Sequence, residues 1–290
     1  MRPLAVVAVL LPLAAFAADP AFQVYDAWPF DAAEAAKRQS ATAKALTAAD
    51  PLLVPLGDAT GPALKFRLIP AGKFNMGSPD KESGHEGDEA LHPETVAEPF
   101  YMLETQLTVE AYRALLGGDP PGMAADADPK LPVAVSYRDA VDKVLPAVAK
   151  LAPKGWKAIL PDRVRLEYAA RAGVASMNPG GDQEKDADAY AWTKANSGNQ
   201  VHPVAQKKPN AWGLYDVIGN RWHWYWAGPG ANGDASKENH LVYGGTYNTP
   251  AAGNGARLAN IMVSRAAEGV RYALIRKDAP LPKGHPDAAK

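Results

Sequence analysis

The hundred residues from 177 to 276 set the strongest constraint on the fold, because no long window in them shows helical or strand periodicity. A stretch of this length inside a compact domain is either disordered or a loop-rich structure held by specific contacts. Five of the seven tryptophans lie between Trp192 and Trp226, and such aromatic content argues against disorder. The sequence therefore predicts a loop-rich fold in which aromatic side chains supply much of the packing.

Four helices are predicted upstream of this stretch, each beginning at a residue whose side chain can cap a helix N-terminus. The first begins at Asp31, has Glu34 three residues later and continues through an alanine-rich run. We expect this helix to pack outside the main domain. The other three begin at Thr108, Ser136 and Asp162.

The ends of these helices are also readable. Gly117 ends the helix that begins at Thr108, and Gly173 ends the one that begins at Asp162. The helix that begins at Ser136 contains Pro146, which must kink or interrupt it because proline lacks the backbone N–H.

The first residues are typical of a secretory signal peptide. Arg2 precedes an apolar run at 4–16, and Ala-Phe-Ala at 15–17 offers a cleavage site. The run is shorter than the roughly 18 apolar residues of a membrane span. The predicted organisation is a signal peptide at 1–17, a helical extension at 18–60, the main domain at 61–278 and a tail at 279–290. We therefore expect a periplasmic protein without a direct membrane span, which could lie at the outer membrane as a peripheral protein.

Charge and cysteine content exclude several classes of function. The formal net charge is −1, so no overall field attracts nucleic acid or anionic membranes. The chain has no cysteine, which excludes thiolate nucleophiles, cysteine metal ligands and lipidation of a cysteine. Small molecules and proteins remain as candidate partners.

A series of short motifs occurs in order along residues 66–276. They are FRLIPAGKFNMGS at 66–78, PFY at 99–101, LTV at 107–109, PVAVSY at 132–137, LPDRVRLEYAAR at 160–171 and GLYDVIGN at 213–220. This ordered set resembles the formylglycine-generating-enzyme, or sulfatase-modifying-factor, domain family. The resemblance implies an α+β fold, the formylglycine-generating-enzyme variant of the C-type-lectin-like fold, with little regular secondary structure.

The resemblance also locates a catalytic pocket from which the required residues are missing. Copper-dependent members act through two cysteines just beyond a Gly-Gly-Ser element. Residues 243–249 match that element, and Thr249 falls near the first cysteine position. A hydroxyl cannot replace a thiolate as a soft-metal ligand. The implied pocket of Trp222, Thr246, Thr249 and Arg257 is therefore predicted to be degenerate and non-catalytic.

Calcium-binding members of the family take ligands from the loop that reads GLYDVIGNRWHWYW at 213–226. By resemblance, the ligands are the Asp216 side chain and the carbonyls of Gly219 and Arg221, but the family's glutamate is His223 here. Calcium prefers oxygen ligands, so this site is predicted to be degenerate, with Asp216 pairing Arg221 or His223 in place of the ion.

Asn196 and the carbonyl of Ser197 resemble the start of a second calcium site of the family. No cofactor is expected, and weak calcium binding stays open as an alternative.

An acidic loop is one further candidate site. His85 and His92 flank the three acidic residues Glu86, Asp88 and Glu89. We favour a solvated acidic loop here over a hard-cation site.

Trp222, Trp224 and Trp226 alternate along an extended segment, with His223 and Tyr225 on its other side. Core packing is favoured for these tryptophans over a ligand-stacking platform.

Two functions remain. The resemblance favours a non-catalytic periplasmic regulator that promotes type VI secretion through threonine phosphorylation, with a transmembrane Ser/Thr kinase or an outer-membrane lipoprotein as partner. The alternative is a periplasmic oxidase that matures a siderophore chromophore, for which Tyr247, Glu268 and His223 are the candidate residues. At the pocket around Thr249, Arg257 and Trp222, an open cleft with a perturbed acid or base favours the enzyme. A filled cleft beside an exposed apolar patch favours the regulator.

Overall fold

The structure is a computed structural model that describes residues 22–58, 60–228, 240–253, 255–282 and 285. The predicted signal peptide at 1–17 and most of the predicted tail lie outside the described residues. The helices are α1 (Ala32–Leu46), α2 (Val109–Leu116), α3 (Tyr137–Asp139), α4 (Leu145–Lys150) and α5 (Arg163–Arg171). The strands are β1 (Leu52–Pro55), β2 (Ala63–Ile69), β3 (Gly72–Met76), β4 (His92–Val96), β5 (Phe100–Leu103), β6 (Trp156–Ile159), β7 (His223–Trp224), β8 (His240–Tyr243), β9 (Ile261–Ser264) and β10 (Ala273–Arg276).

An antiparallel sheet of five strands organises the domain, in the order β1-β2-β5-β10-β6. Strand β10, from the end of the described chain, lies between β5 and β6 and so joins distant parts of the sequence. Two smaller sheets, β3-β4 and β7-β8-β9, pack beside it. Long loops connect these elements, and the predicted loop-rich α+β fold is confirmed.

The central sheet is buried on both faces, because successive side chains of a strand point to opposite sides. On β5, Phe100 and Met102 belong to one hydrophobic cluster, whereas Tyr101 and Leu103 belong to the other. Helix α5 packs in the first cluster, and helices α2 and α4 pack in the second. The domain therefore has a three-layered core with the sheet in the middle.

The four predicted helix caps are all present. The side chains of Asp31, Thr108, Ser136 and Asp162 each accept a hydrogen bond from the backbone N–H three residues later, at 2.8–3.3 Å. These caps satisfy N–H groups that have no partner within the helix.

The regular α-helix is interrupted before Pro146, as predicted. The π-helical turn Ala140–Val144 separates α3 from α4 and places Pro146 in the first turn of α4, where a missing N–H is tolerated. One helix end differs from the prediction. Helix α5 ends one residue early, at Ala172, which takes a left-handed conformation with φ +47° before Gly173.

The expected position of α1 outside the main domain is wrong. Ala35 lies in the first hydrophobic cluster. The side-chain amide nitrogen Nε2 of Gln39 donates to the carbonyls of Leu68 (2.9 Å) and Trp212 (3.2 Å). The helix is therefore part of the packed domain. In the described part of the chain, no helix combines the length and the apolar character needed to cross a bilayer.

Candidate functional site

The tryptophan-rich segment at 222–226 is part of the core. Trp222 and Trp224 pack in the second hydrophobic cluster, and Tyr225 packs on the other side in the first. The indole N–H of Trp224 donates to the carbonyl of Val135 at 2.8 Å. Trp226 is half-buried against the ring of His285. Packing accounts for these side chains, as the alternation predicts.

Asp216 is buried and does not pair with Arg221 or His223, so the predicted pairing is wrong. Its Oδ2 accepts from the backbone N–H of Ala205 at 2.9 Å, whereas Oδ1 has no donor among the described residues. Burial raises the pKa of the Asp216 carboxyl, and the positive charge of Arg271 opposes that rise. The cations that act on this carboxylate are therefore Arg271 and Lys207, and not the predicted Arg221 or His223.

Arg271 is fully buried and binds four backbone carbonyls. Its Nη1 donates to Leu103 (2.6 Å) and Glu104 (2.7 Å), and its Nη2 donates to Tyr215 (2.5 Å) and Asp216 (3.2 Å). Burial lowers the pKa of Arg271 to about 10, so the guanidinium stays charged at neutral pH. These hydrogen bonds hold the end of β5 against the loop at 213–220.

The side-chain amide of Gln106 lies between two other proposed calcium-ligand positions, the carbonyl of Arg221 and the ring of His223. Gln106 Nε2 donates to the carbonyl of Arg221 at 2.6 Å and lies 3.0 Å from Nε2 of His223. Burial, together with the charge of Arg271, holds the pKa of His223 well below its usual range. The imidazole is therefore neutral and accepts from the amide. An amide N–H₂ group thus bridges the two atoms where a calcium ion would need two oxygen ligands.

Two further proposed calcium ligands already accept hydrogen bonds. Asn196 Oδ1 accepts from the backbone N–H three residues earlier at 2.9 Å, and the carbonyl of Ser197 accepts from Nε2 of His202 at 2.7 Å. Gly219 lies at a turn with φ +73°, where an added Cβ would come within 2.4 Å of a backbone oxygen. No group of three His, Asp or Glu side chains in the described ranges could hold a metal ion. An amide and an imidazole at two of the ligand positions disfavour calcium in this loop.

The two threonines of the family pocket form a closed turn. Thr249 Oγ1 donates to the carbonyl of Thr246 at 2.9 Å and accepts from the N–H of Thr246 at 3.0 Å. Thr246 Oγ1 donates to the carbonyl of Asn220 at 2.9 Å. The hydroxyl at the cysteine position therefore has its donor and an acceptor site in use.

Arg257 is fully buried in an ion-pair cluster. Its Nη1 contacts Glu82 at 2.5 Å, and its Nη2 contacts both carboxylate oxygens of Glu89 at 2.9 Å. It also donates to the carbonyls of Gly84 and Gly253 at 2.6 Å. Arg257 thus ties two loops together, while Trp222 lies in the core. The predicted pocket residues serve three separate structural roles.

The acidic loop is only in part the solvated loop that the sequence predicts. Glu86 and Asp88 are exposed, but Glu89 is buried against Arg257. His85 Nδ1 lies 2.8 Å from the hydroxyl of Ser78, which itself donates to Glu89. Exposed His92 contacts Glu94 at 3.4 Å. The two histidines therefore serve different contacts.

The candidates for an enzymatic reaction are only partly accessible. Glu268 is half-buried and accepts from the hydroxyl of Ser264 at 2.8 Å. Burial raises the pKa of Glu268, and Arg221 opposes that rise. Tyr247 is half-buried, whereas His223 is fully buried. Glu268 is the candidate whose pKa shift and partial exposure fit acid–base chemistry.

A cleft of about 390 Å³ lies elsewhere on the domain. It opens between the start of β2, the end of β5, the start of α2 and the loop at 203–206. Residues that line it include Ala63, Glu104, Gln106, Glu110, Lys130 and Val204. Sequence reasoning missed this cleft, because its lining comes from four segments that lie far apart in the sequence.

Comparison with known proteins agrees with this architecture. The model of the family described as "Sulfatase-modifying factor enzyme 1-like domain" matches residues 57–271. A sequence relative, "Chaperone protein LppX" of Paenibacillus barcinonensis, is 35% identical over 86 residues, which span 23% of this chain and 31% of that protein.

Three solved structures share the fold. Treponema denticola variable protein 1 has a TM-score of 0.61 and 22% identity, covering 77% of this chain and 98% of that one. PvdO from Pseudomonas aeruginosa has a TM-score of 0.61 and 24% identity, covering 78% and 99%. CarF has a TM-score of 0.52 and 22% identity, covering 76% and 99%. At this level of identity the similarity shows the fold alone.

Proposed function

Because the chain belongs to the sulfatase-modifying factor enzyme 1-like domain family, we propose that it is a non-catalytic binding and regulatory protein built on that scaffold. The observation that carries the proposal is that residues of the family pocket are held in structural contacts. The hydroxyl of Thr249 is used within its own turn, and Arg257 is used in buried ion pairs. With no cysteine in the chain, this position offers no thiolate chemistry.

The proposed place of action is the periplasm. The features at 1–17 that are typical of a signal peptide support this part of the proposal. By resemblance, the type VI secretion regulator TagR is the family member that we take as the guide to its role. The partner is then the periplasmic part of a transmembrane Ser/Thr kinase or an outer-membrane lipoprotein, and binding promotes threonine phosphorylation.

A reconstitution experiment tests this function. The exported protein is mixed with membranes that contain the kinase, with calcium or with chelator, and threonine phosphorylation of the kinase substrate is measured. Stimulation that is equal in calcium and chelator supports a metal-independent regulator. Absence of both stimulation and a stable complex with the kinase or lipoprotein would refute the regulatory role.

The alternative is a periplasmic oxidase of siderophore maturation, for which Glu268 would be the acid–base group. The raised pKa and partial exposure of this carboxyl favour it over His223. Consumption of a chromophore precursor by the purified protein, lost in Glu268→Gln, would support the oxidase and overturn the non-catalytic proposal.

A further inference from the structure

The 390 Å³ cleft has an open strand edge along one wall. In an antiparallel ladder, successive residues direct their N–H and C=O groups alternately to the two neighbouring strands. The carbonyl of Pro62 accepts from Leu56 on the β1 side at 2.8 Å, and the carbonyl of Lys65 accepts from Glu104 on the β5 side at 2.7 Å. The N–H and C=O of Ala63 therefore point towards β5 and into the cleft.

Strand β5 leaves this ladder just before it would reach Ala63. In the register that pairs Phe66 with Leu103, the position opposite Ala63 belongs to Gln106. The carbonyl of Glu104 instead accepts from the N–H of Tyr215 (3.0 Å) and from Arg271 (2.7 Å), which fills both of its lone pairs. Among the described residues, no strand pairs with β2 at Ala63 on this side.

The side chain of Gln106 contributes to this separation. Its amide donates to the carbonyl of Arg221 on the far side, away from a ladder with β2. Contacts of the loop at 213–223 thus draw residues 104–106 off the sheet and open the cleft.

Charged groups on the cleft differ in whether they are already paired. Lys65 and Glu104 form an ion pair at 3.1 Å. Glu110 and Lys130 also line the cleft and are exposed, and neither has an ion-pair partner within the described part of the chain. Apolar lining that a ligand can reach comes from Ala63 and Val204, since Leu64 and Leu107 are buried in the core. A ligand can therefore satisfy backbone groups, apolar surface and two charges of opposite sign.

We propose that this cleft binds an extended segment of a protein partner, which adds a short strand beside Ala63 and places charged side chains against Lys130 and Glu110. Strand addition uses main-chain hydrogen bonds for affinity and flanking side chains for selectivity. The volume lies within the range of ligand clefts and suits a few residues of a peptide. The proposal rests on the proposed binding function and names the surface that carries it.

The test uses a library of N-acetylated, C-amidated heptapeptides, so that no terminal charge can substitute for a side chain. Binding is measured with the parent protein, which is the chain without the predicted signal peptide at 1–17, and with four variants: Ala63→Pro, Ala63→Val, Lys130→Glu, and the double exchange Lys130→Glu with Glu110→Lys. Ala63→Pro removes the N–H that faces the cleft, whereas Ala63→Val keeps it and suits a strand. Circular dichroism and thermal unfolding confirm that each variant is folded.

Selected peptides should bind Ala63→Val like the parent protein and Ala63→Pro at least tenfold more weakly. Lys130→Glu should weaken peptides that carry an acidic residue, and the double exchange should reverse the charges that the library selects. Amide exchange at Ala63, followed by NMR, should slow when peptide binds. Equal binding to Ala63→Pro and Ala63→Val would overturn the proposal, as would binding of free amino acids in preference to capped peptides.

Failure of this inference is distinguishable from failure of the proposed function. If the kinase or lipoprotein is bound equally by the parent protein and Ala63→Pro, the regulatory role stands and the cleft is wrong. If capped peptides bind the cleft but kinase membranes do not respond, the strand-addition site stands and the type VI secretion role is wrong.

Discussion

The ion-pair cluster around Arg257 predicts a large and specific loss of stability. The perturbation is Arg257→Met, which keeps much of the side-chain volume and removes the charge. Arg257 is 0% exposed, and its partner Glu89 is 1% exposed, so the variant leaves a buried carboxylate without its cation. Among the described residues, the hydroxyl of Ser78 is the donor that this carboxylate would keep.

The expected magnitude follows from this burial. Removing one partner of a buried ion pair costs about 3–5 kcal/mol, because the remaining charge is neither paired nor hydrated. That cost increases the unfolding equilibrium constant by roughly two to four decades. Glu89→Gln together with Arg257→Met should recover part of the loss, since it removes the orphaned charge.

Urea unfolding followed by tryptophan fluorescence measures this loss. The matched control is Arg276→Met, since Arg276 pairs with Asp278 at 2.7 Å in a partly exposed setting. Exposed pairs contribute about 0–1 kcal/mol, so the control should stay near the parent protein. Equal stability losses in the two single variants, or a loss below about 1 kcal/mol for Arg257→Met, would refute the reasoning.

Three further predictions concern pH, a buried amide and calcium. Burial and the charge of Arg271 hold the pKa of His223 well below 6.5, so the imidazole stays neutral in the folded protein. In the unfolded chain the same imidazole takes up a proton near pH 6.5. The free energy of unfolding should therefore be constant above about pH 6.5 with respect to this group and should fall as the pH drops below that value. Urea unfolding should show a loss of up to about 1.4 kcal/mol per pH unit from this group, and His223→Gln should lessen the slope; parallel slopes would contradict this. Asn210→Ala should lower the free energy of unfolding by about 2–4 kcal/mol, because the Asn210 side-chain amide makes four hydrogen bonds of 2.8–3.1 Å in the core. A loss in urea unfolding as small as that of Arg276→Met would contradict this expectation. Excess calcium should leave the Tm unchanged, because Gln106 donates to the carbonyl of Arg221, an imidazole stands where a carboxylate is needed, and the Asn196 and Ser197 oxygens already accept hydrogen bonds. A rise in Tm that grows with calcium concentration would show a working site.

Local and ordered features were readable from the sequence. The caps at Asp31, Thr108, Ser136 and Asp162 involve contacts only three residues apart, so residue type and spacing were enough to predict them. The absence of long periodicity between 177 and 276, together with the tryptophans, indicated a loop-rich fold. The order of the motifs indicated the family, because order along a chain survives when single residues change.

Tertiary structure alone decided which distant side chains meet. Glu89 and Arg257 are separated by 168 residues, and nothing local distinguishes that glutamate from its exposed neighbours. The calcium loop illustrates the same limit: the sequence showed that His223 replaces a carboxylate, but not that Gln106 would donate into the same place. The open edge at Ala63 arises because Arg271 binds the carbonyl of Glu104 and ends the ladder of β5. Long-range contacts of this kind depend on the packing of the whole chain, which no local pattern encodes.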